Sequence, residues 1–63
     1  MLNWKEGDFK DSVTATGYGK RDYTVFNEGY QYIVEVDGVA FGYGDFEDCK
    51  SQAEEHNNAC RRK

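Results

Sequence analysis

Tyr30-Gln31-Tyr32-Ile33-Val34-Glu35-Val36-Asp37-Gly38-Val39-Ala40-Phe41-Gly42-Tyr43-Gly44 is the stretch that decides the fold. Two runs rich in β-branched and aromatic residues flank an Asp-Gly pair. A type I′ turn needs positive φ at both central residues, and Asp-Gly tolerates this better than most pairs. A two-residue turn fixes the register, so Val36 opposes Val39, Val34 opposes Phe41 and Tyr32 opposes Tyr43. Strand residues two apart share a face. These six side chains and Tyr30 therefore form one Tyr-rich face, held by aromatic and β-branched cross-strand pairs. The other face carries Gln31, Ile33, Glu35, Ala40, Gly42 and Gly44. Its two glycines leave it low and invite close approach by another group. A ring from Trp4 or Phe9 is the expected cover.

Upstream, Tyr23-Thr24-Val25-Phe26 reads as another strand, joined to Tyr30 by Asn27-Glu28-Gly29. A three-residue loop ending in glycine suits a type I turn with a bulge. That register puts Phe26 and Thr24 on the Tyr-rich face, and Val25 and Tyr23 on the other. A two-residue Glu28-Gly29 turn reverses the assignment. In both registers an apolar residue falls on each face, so both faces are expected to be covered. Ser12-Val13-Thr14-Ala15-Thr16 reads as a strand, with Gly17-Tyr18-Gly19-Lys20-Arg21 as its turn. Residues near Leu2 to Trp4 suit a short edge strand.

Downstream, Asp45 is a good N-cap, Glu47 and Asp48 fall in the first turn, and Arg61, Arg62 and Lys63 close the chain. These charges complement a helix dipole at both ends. Phe46, Cys49, Ala53, His56 and Cys60 recur at steps of three and four, which makes one narrow stripe. Ser51, Gln52, Glu54, Glu55 and Asn58 lie opposite. The expected fold is α+β: a three- to four-stranded antiparallel sheet over about residues 2–44, with one C-terminal helix over about 46–61 on its Tyr-rich face. The 63 residues are read as a single domain.

A domain this small buries only about 60% of the surface its unfolded chain exposes. That leaves little room for both a core and a deep cleft. The net charge of −4 argues against non-specific grip on phosphate backbones, which needs clustered Lys and Arg. No apolar run is long enough to span a membrane. The start, Met1-Leu2-Asn3-Trp4-Lys5, lacks a signal-peptide pattern. The expected location is cytoplasmic.

The residues that could carry chemistry read as structure. Cys49 and Cys60 lie about 16 Å apart along one helix, too far for a disulfide within the chain. His56 and Cys60 are spaced i, i+4, but a zinc site needs further ligands, and neither a CxxC nor a second histidine exists. Gly17-Tyr18-Gly19-Lys20-Arg21 fails as a P-loop, because Thr14 stands where the first glycine belongs and Arg21 where Ser or Thr would hold magnesium. It fails as a dinucleotide fingerprint too, since Asp22 replaces the third glycine. No serine or carboxylate pairs with a base. The expectation is a non-enzymatic protein with no cofactor and no metal.

The runs Gly29-Tyr30-Gln31-Tyr32-Ile33-Val34-Glu35-Val36-Asp37-Gly38 and Phe41-Gly42-Tyr43-Gly44-Asp45-Phe46-Glu47-Asp48-Cys49-Lys50, with Trp4 near the start, resemble small phage and prophage accessory proteins. Those have a Gly-Tyr strand, a hairpin and a Phe-rich entry into an Ala- and Glu-rich helix. The resemblance implies a bacteriophage accessory protein that binds a host protein in the host cytoplasm. A weaker similarity is to HicB-type antitoxins, which have a comparable sheet followed by a helix; many of those carry a DNA-binding C-terminal extension with no counterpart in this sequence, so repression by this chain alone is not expected.

These readings favour a protein-binding module acting through the sheet's outer face, at Trp4, Val25, Ile33 and Glu35. The partner would be a host protein, or a second copy forming a homodimer. The alternative is a nucleic-acid-binding module using the basic-aromatic loop Tyr18, Lys20 and Arg21, with Arg61 and Arg62. Glu47, Glu54 and Glu55 give the helix an acidic outer face.

Overall fold

Asp37 (φ 51°) and Gly38 (φ 85°) both take positive φ, as the type I′ turn requires. Around this hairpin the computed structural model, which describes residues 2–7 and 10–61, builds a sheet and one helix. The strands are β1 (Lys5–Glu6), β2 (Ser12–Thr16), β3 (Asp22–Asn27), β4 (Tyr32–Val36) and β5 (Val39–Gly44). All pair antiparallel in sequence order, so the sheet is an open five-stranded meander with β1 and β5 at its edges. The strand count exceeds expectation by at least one, because residues before Asp22 form two strands. The edge strand falls at Lys5–Glu6 rather than at Leu2 to Trp4. A short 3-10 turn at Tyr18–Lys20 links β2 to β3, with Gly19 at φ 72°.

The helix α1 runs Phe46–Arg61. Asp45 caps it: its Oδ1 accepts the Asp48 N–H at 2.8 Å. The helix lies across β3, β4 and β5. Cys49 and Ala53 are fully buried there, small enough to let the helix backbone approach the sheet. Phe46 meets the Tyr32 ring edge-on, with centroids 5.3 Å apart. His56 and Cys60 are half-buried, and Asn57, which the apolar stripe does not include, is buried beside them.

Two local features set which side chains lie under the helix, and both depart from the expected register. Val34 pairs with Gly42 but Glu35 pairs with Ala40, so Phe41 is an extra residue, a β-bulge. Beyond it the register slips by one, and a one-residue slip turns every following side chain to the opposite face. Tyr43 therefore pairs with Ile33 on the outer face instead of with Tyr32. Gly42 moves to the helix side, where the Gln52 side chain, not an aromatic ring, occupies the space a Cβ would fill. Phe9, the other candidate cover, lies outside the described residues.

The β3–β4 connection is the second feature. Asn27 pairs with Tyr32, which leaves a four-residue loop, Glu28 to Gln31. This loop has the same parity as a two-residue turn, so Tyr23 and Val25 face the helix while Thr24 and Phe26 face outward. Tyr30 sits in the loop, 89% exposed, and not on the covered face. The core comprises Leu2, Ala15, Tyr23, Val25, Val34, Cys49 and Ala53, with Trp4, Val13, Tyr32, Val36 and Phe46 packed against it. None of the described helices is long and apolar enough to cross a membrane.

Candidate protein-interaction surface

Antiparallel partners share a face, so the cross-strand pairs lay out the side of the sheet that the helix leaves bare. One row runs Ser12, Phe26, Ile33, Tyr43 across β2 to β5, with Ser12 buried, Phe26 and Ile33 half-buried and Tyr43 exposed. The next runs Lys5, Thr14, Thr24, Glu35, Ala40 across all five strands. The first row places a ring, a branched aliphatic chain and a second ring side by side. Between the rows, Thr24, Phe26, Asn27 and Glu35 line an open depression of about 420 Å³. Ile33 and Glu35 thus stand on the outer face that the sequence assigns them.

Val25 and Trp4 do not. Val25 is fully buried between β3 and α1, because the loop parity turns it inward. Trp4 packs against the core and lines a groove with Leu2 and the α1 residues Glu47, Lys50 and Glu54. The Leu2 N–H donates to the Glu54 carboxylate at 3.1 Å, which draws the N-terminal segment to the helix rather than around the outer face. Tyr23, which the three-residue-loop register would place on the outer face with Val25, is fully buried as well.

In their place the structure offers residues that the sequence put under the helix. Val39 is 67% exposed, Tyr43 69%, and Phe41 and Tyr30 are exposed too. Three of these lie on the edge strand β5, and Tyr30 overhangs its end. Tyr30, Tyr32 and Asp45 are among the residues lining a second open depression, of about 320 Å³. From Val39 to Gly44 the edge strand carries no charge and no proline. That absence is readable in the sequence, but its meaning depends on β5 being an edge.

The basic-aromatic loop forms a separate cluster at the other end of the helix. Asn57 Oδ1 accepts the Tyr18 N–H at 2.7 Å and so ties the 3-10 turn to the last turns of α1, where Arg61 is exposed. Gly17 permits this approach, since a Cβ there would lie 2.6 Å from the Tyr23 ring. Tyr18 and Lys20 are exposed, while the Arg21 guanidinium turns back to the Tyr18 carbonyl at 3.0 Å. Asp22 and Asp37 stand beside this cluster, joined by the Asp22 N–H donating to Asp37 Oδ1 at 2.9 Å. Arg62 lies outside the described residues.

The titratable groups under the helix are held by packing. Tyr23 Oη and His56 Nδ1 are 2.7 Å apart, and Phe41 lies against the imidazole with centroids 5.0 Å apart. Burial pushes the Tyr23 phenol above its ordinary range, aided by Cys60 and opposed by Arg21. Burial likewise raises the Cys49 thiol, with Asp45 and Asp48 adding to the effect. A raised thiol pKa lowers the thiolate fraction on which cysteine nucleophilicity depends. Cys49 Sγ lies 3.3 Å from the Tyr32 carbonyl oxygen, and both cysteines are free. Among the described residues no three His, Cys, Asp or Glu side chains converge as a metal site.

Comparison with protein-family models, with curated proteins and with solved structures returns no match.

Proposed function

We propose that this protein is a non-enzymatic protein-binding module whose contact surface is the bare face of the sheet together with its β5 edge. The observation that supports this is the placement of its large apolar side chains. Phe26, Ile33 and Tyr43 form a row on the side away from α1, and Val39 and Phe41 stand exposed along the edge strand on the other side. The fully buried core contains two alanines and a cysteine among seven apolar residues. A chain that buries small residues while exposing rings has apolar surface suited to a partner. Aromatic side chains are enriched at the centres of protein interfaces.

The resemblance to phage accessory proteins gives this reading its biological form: a phage-encoded protein that engages a host protein in the host cytoplasm. The nucleic-acid alternative draws support from Tyr18, Lys20 and Arg61 meeting at one end of the helix. Asp22 and Asp37 beside them weaken the field such a site needs.

Substitution of Ile33 tests the reading. Ile33→Glu places a charge in the middle of the apolar row, at a half-buried position on the side of the sheet away from α1. The free protein is expected to keep its helix content and to lose no more than about 1 kcal/mol of stability, the span typical of strand substitutions. Immobilised wild-type protein is expected to retain a discrete bacterial protein that Ile33→Glu does not. If both retain the same proteins, or neither retains any, the bare face is not the binding surface.

A further inference from the structure

The two edges of the sheet are built differently. An edge strand offers unpaired N–H and C=O groups to any passing chain, and proteins blunt such edges with short strands, charges, proline or bulges. β1 follows this rule, being two residues long and both charged, Lys5 and Glu6. β5 is six residues long, Val39-Ala40-Phe41-Gly42-Tyr43-Gly44, and its only blunting device is the bulge at Phe41. Its apolar side chains emerge on both sides of the sheet: Phe41 toward α1 and Tyr43 on the bare face. A ligand lying on one face touches only one of these. A sixth strand laid along β5 touches both, because its own side chains alternate between the faces.

Charge then separates the candidate occupants. Asp37 stands at one end of β5, and Asp45 with Asp48 at the other, all exposed. A second copy pairing antiparallel about a two-fold axis would bring Asp37 of each chain near Asp45 of the other, at both ends, between chains each of net charge −4. Like charges placed together suppress a pairing. A different chain with basic residues at both ends of an apolar strand meets the opposite situation. The depression beside Tyr30, Tyr32 and Asp45 suits a lysine or arginine, whose stem lies on rings while its head reaches a carboxylate.

We infer that β5 accepts an extended segment of a partner protein, with an apolar alternating centre and basic residues at both ends, by strand addition to the sheet edge. This names a partner class for the protein-binding reading and rests on it. Gln52 Nε2 now donates to the Tyr43 carbonyl at 3.0 Å. That flexible side chain holds an edge acceptor which a backbone N–H of the incoming strand takes over.

The test uses the full chain, labelled with 15N, and two synthetic peptides with a Val-Thr-Val-Thr-Val centre. One carries lysine pairs at both ends and the other carries glutamate pairs. The lysine peptide is expected to bind about tenfold more tightly than the glutamate peptide, since swapping the sign of a few exposed charge pairs is worth that much. Amide shifts should run along Val39 to Gly44. Asp37→Asn/Asp45→Asn removes one carboxylate from each end, leaves Asp48, and keeps residues that serve the turn and the cap equally well. In this variant the difference between the two peptides should narrow. Val39→Lys, which installs the usual edge protection, should abolish binding without loss of folding. Absence of lysine-peptide binding, shifts away from β5, or unchanged discrimination in the double variant would each overturn the inference. So would self-association of the free chain that Val39→Lys abolishes, for then a second copy is the occupant. In all these cases the capture experiment with Ile33→Glu still judges the protein-binding reading on its own.

Discussion

Tyr23→Ala is expected to remove at least about a third of the protein's stability. Tyr23 is fully buried, with Phe41 and His56 against its ring and His56 Nδ1 2.7 Å from its hydroxyl. Removing a large buried aromatic side chain costs about 3–5 kcal/mol. A chain of this length has a total stability of about 3–9 kcal/mol, so the loss takes from about a third of it to all of it. Tyr23→Phe isolates the polar part. It keeps the packing and deletes one hydrogen bond, for an expected cost of about 1 kcal/mol. Urea unfolding followed by circular dichroism measures both. If Tyr23→Ala melts within a few degrees of wild type, Tyr23 is not at the centre of the core.

The second large effect separates the two faces of one strand pair. Val25→Glu puts a carboxylate between β3 and α1, at a position with no exposed surface. An unpaired buried charge belongs to the short list of changes costing about 4–5 kcal/mol or more. The variant is expected to be unfolded near neutral pH and to recover partly in acid, where the new carboxyl is protonated and its burial costs less. Ile33→Glu, one strand away and facing outward, is expected to fold. The register with the opposite parity reverses the contrast: Val25→Glu then folds normally. Thermal melts of the two variants side by side decide between them.

That contrast also marks where the sequence stops being legible. The Asp37-Gly38 turn, the Asp45 cap and the helix stripe through Cys49 and Ala53 are readable because each rests on chemistry within a few residues. Facing is not local. It depends on the parity of the β3–β4 loop and on the bulge at Phe41, and each shifts a register by one. Tyr43 looks like a core ring from its spacing to Tyr32, yet the bulge turns it to the bare face. Val25 looks equally suited to either face. Asn57 gives no apolar signal, since its burial depends on the Tyr18 N–H brought to it by a distant turn. Of the residues that the sequence proposes for binding, Ile33 and Glu35 stand on the bare face, while Val25 and Trp4 have gone into or against the core. The edge strand was hidden for a different reason. Nothing within Val39 to Gly44 marks it as an edge, and only the strand order makes its lack of charge significant.

The fold thus divides its aromatic residues between two tasks. Tyr23, Tyr32, Phe41 and Phe46 pack with α1 or with one another through ring contacts. Phe26 and Tyr43, with Ile33 between them, are left to face whatever the protein meets. Phe41 belongs to both sets, since its ring lies against His56 while part of it remains exposed. A partner at β5 would therefore touch a residue that also rests on the core, and its binding should raise the melting temperature by mass action.

The most direct measurement is an amide chemical-shift map of 15N-labelled protein, recorded with the lysine-ended strand peptide and separately with a single-stranded oligonucleotide at low salt. Shifts along β5 are expected with the peptide, and a quiet Tyr18–Arg21 turn with both. Shifts centred on Tyr18, Lys20, Arg21 and Arg61 that appear with the oligonucleotide and fade with added salt, beside an unperturbed β5, would contradict the protein-binding reading.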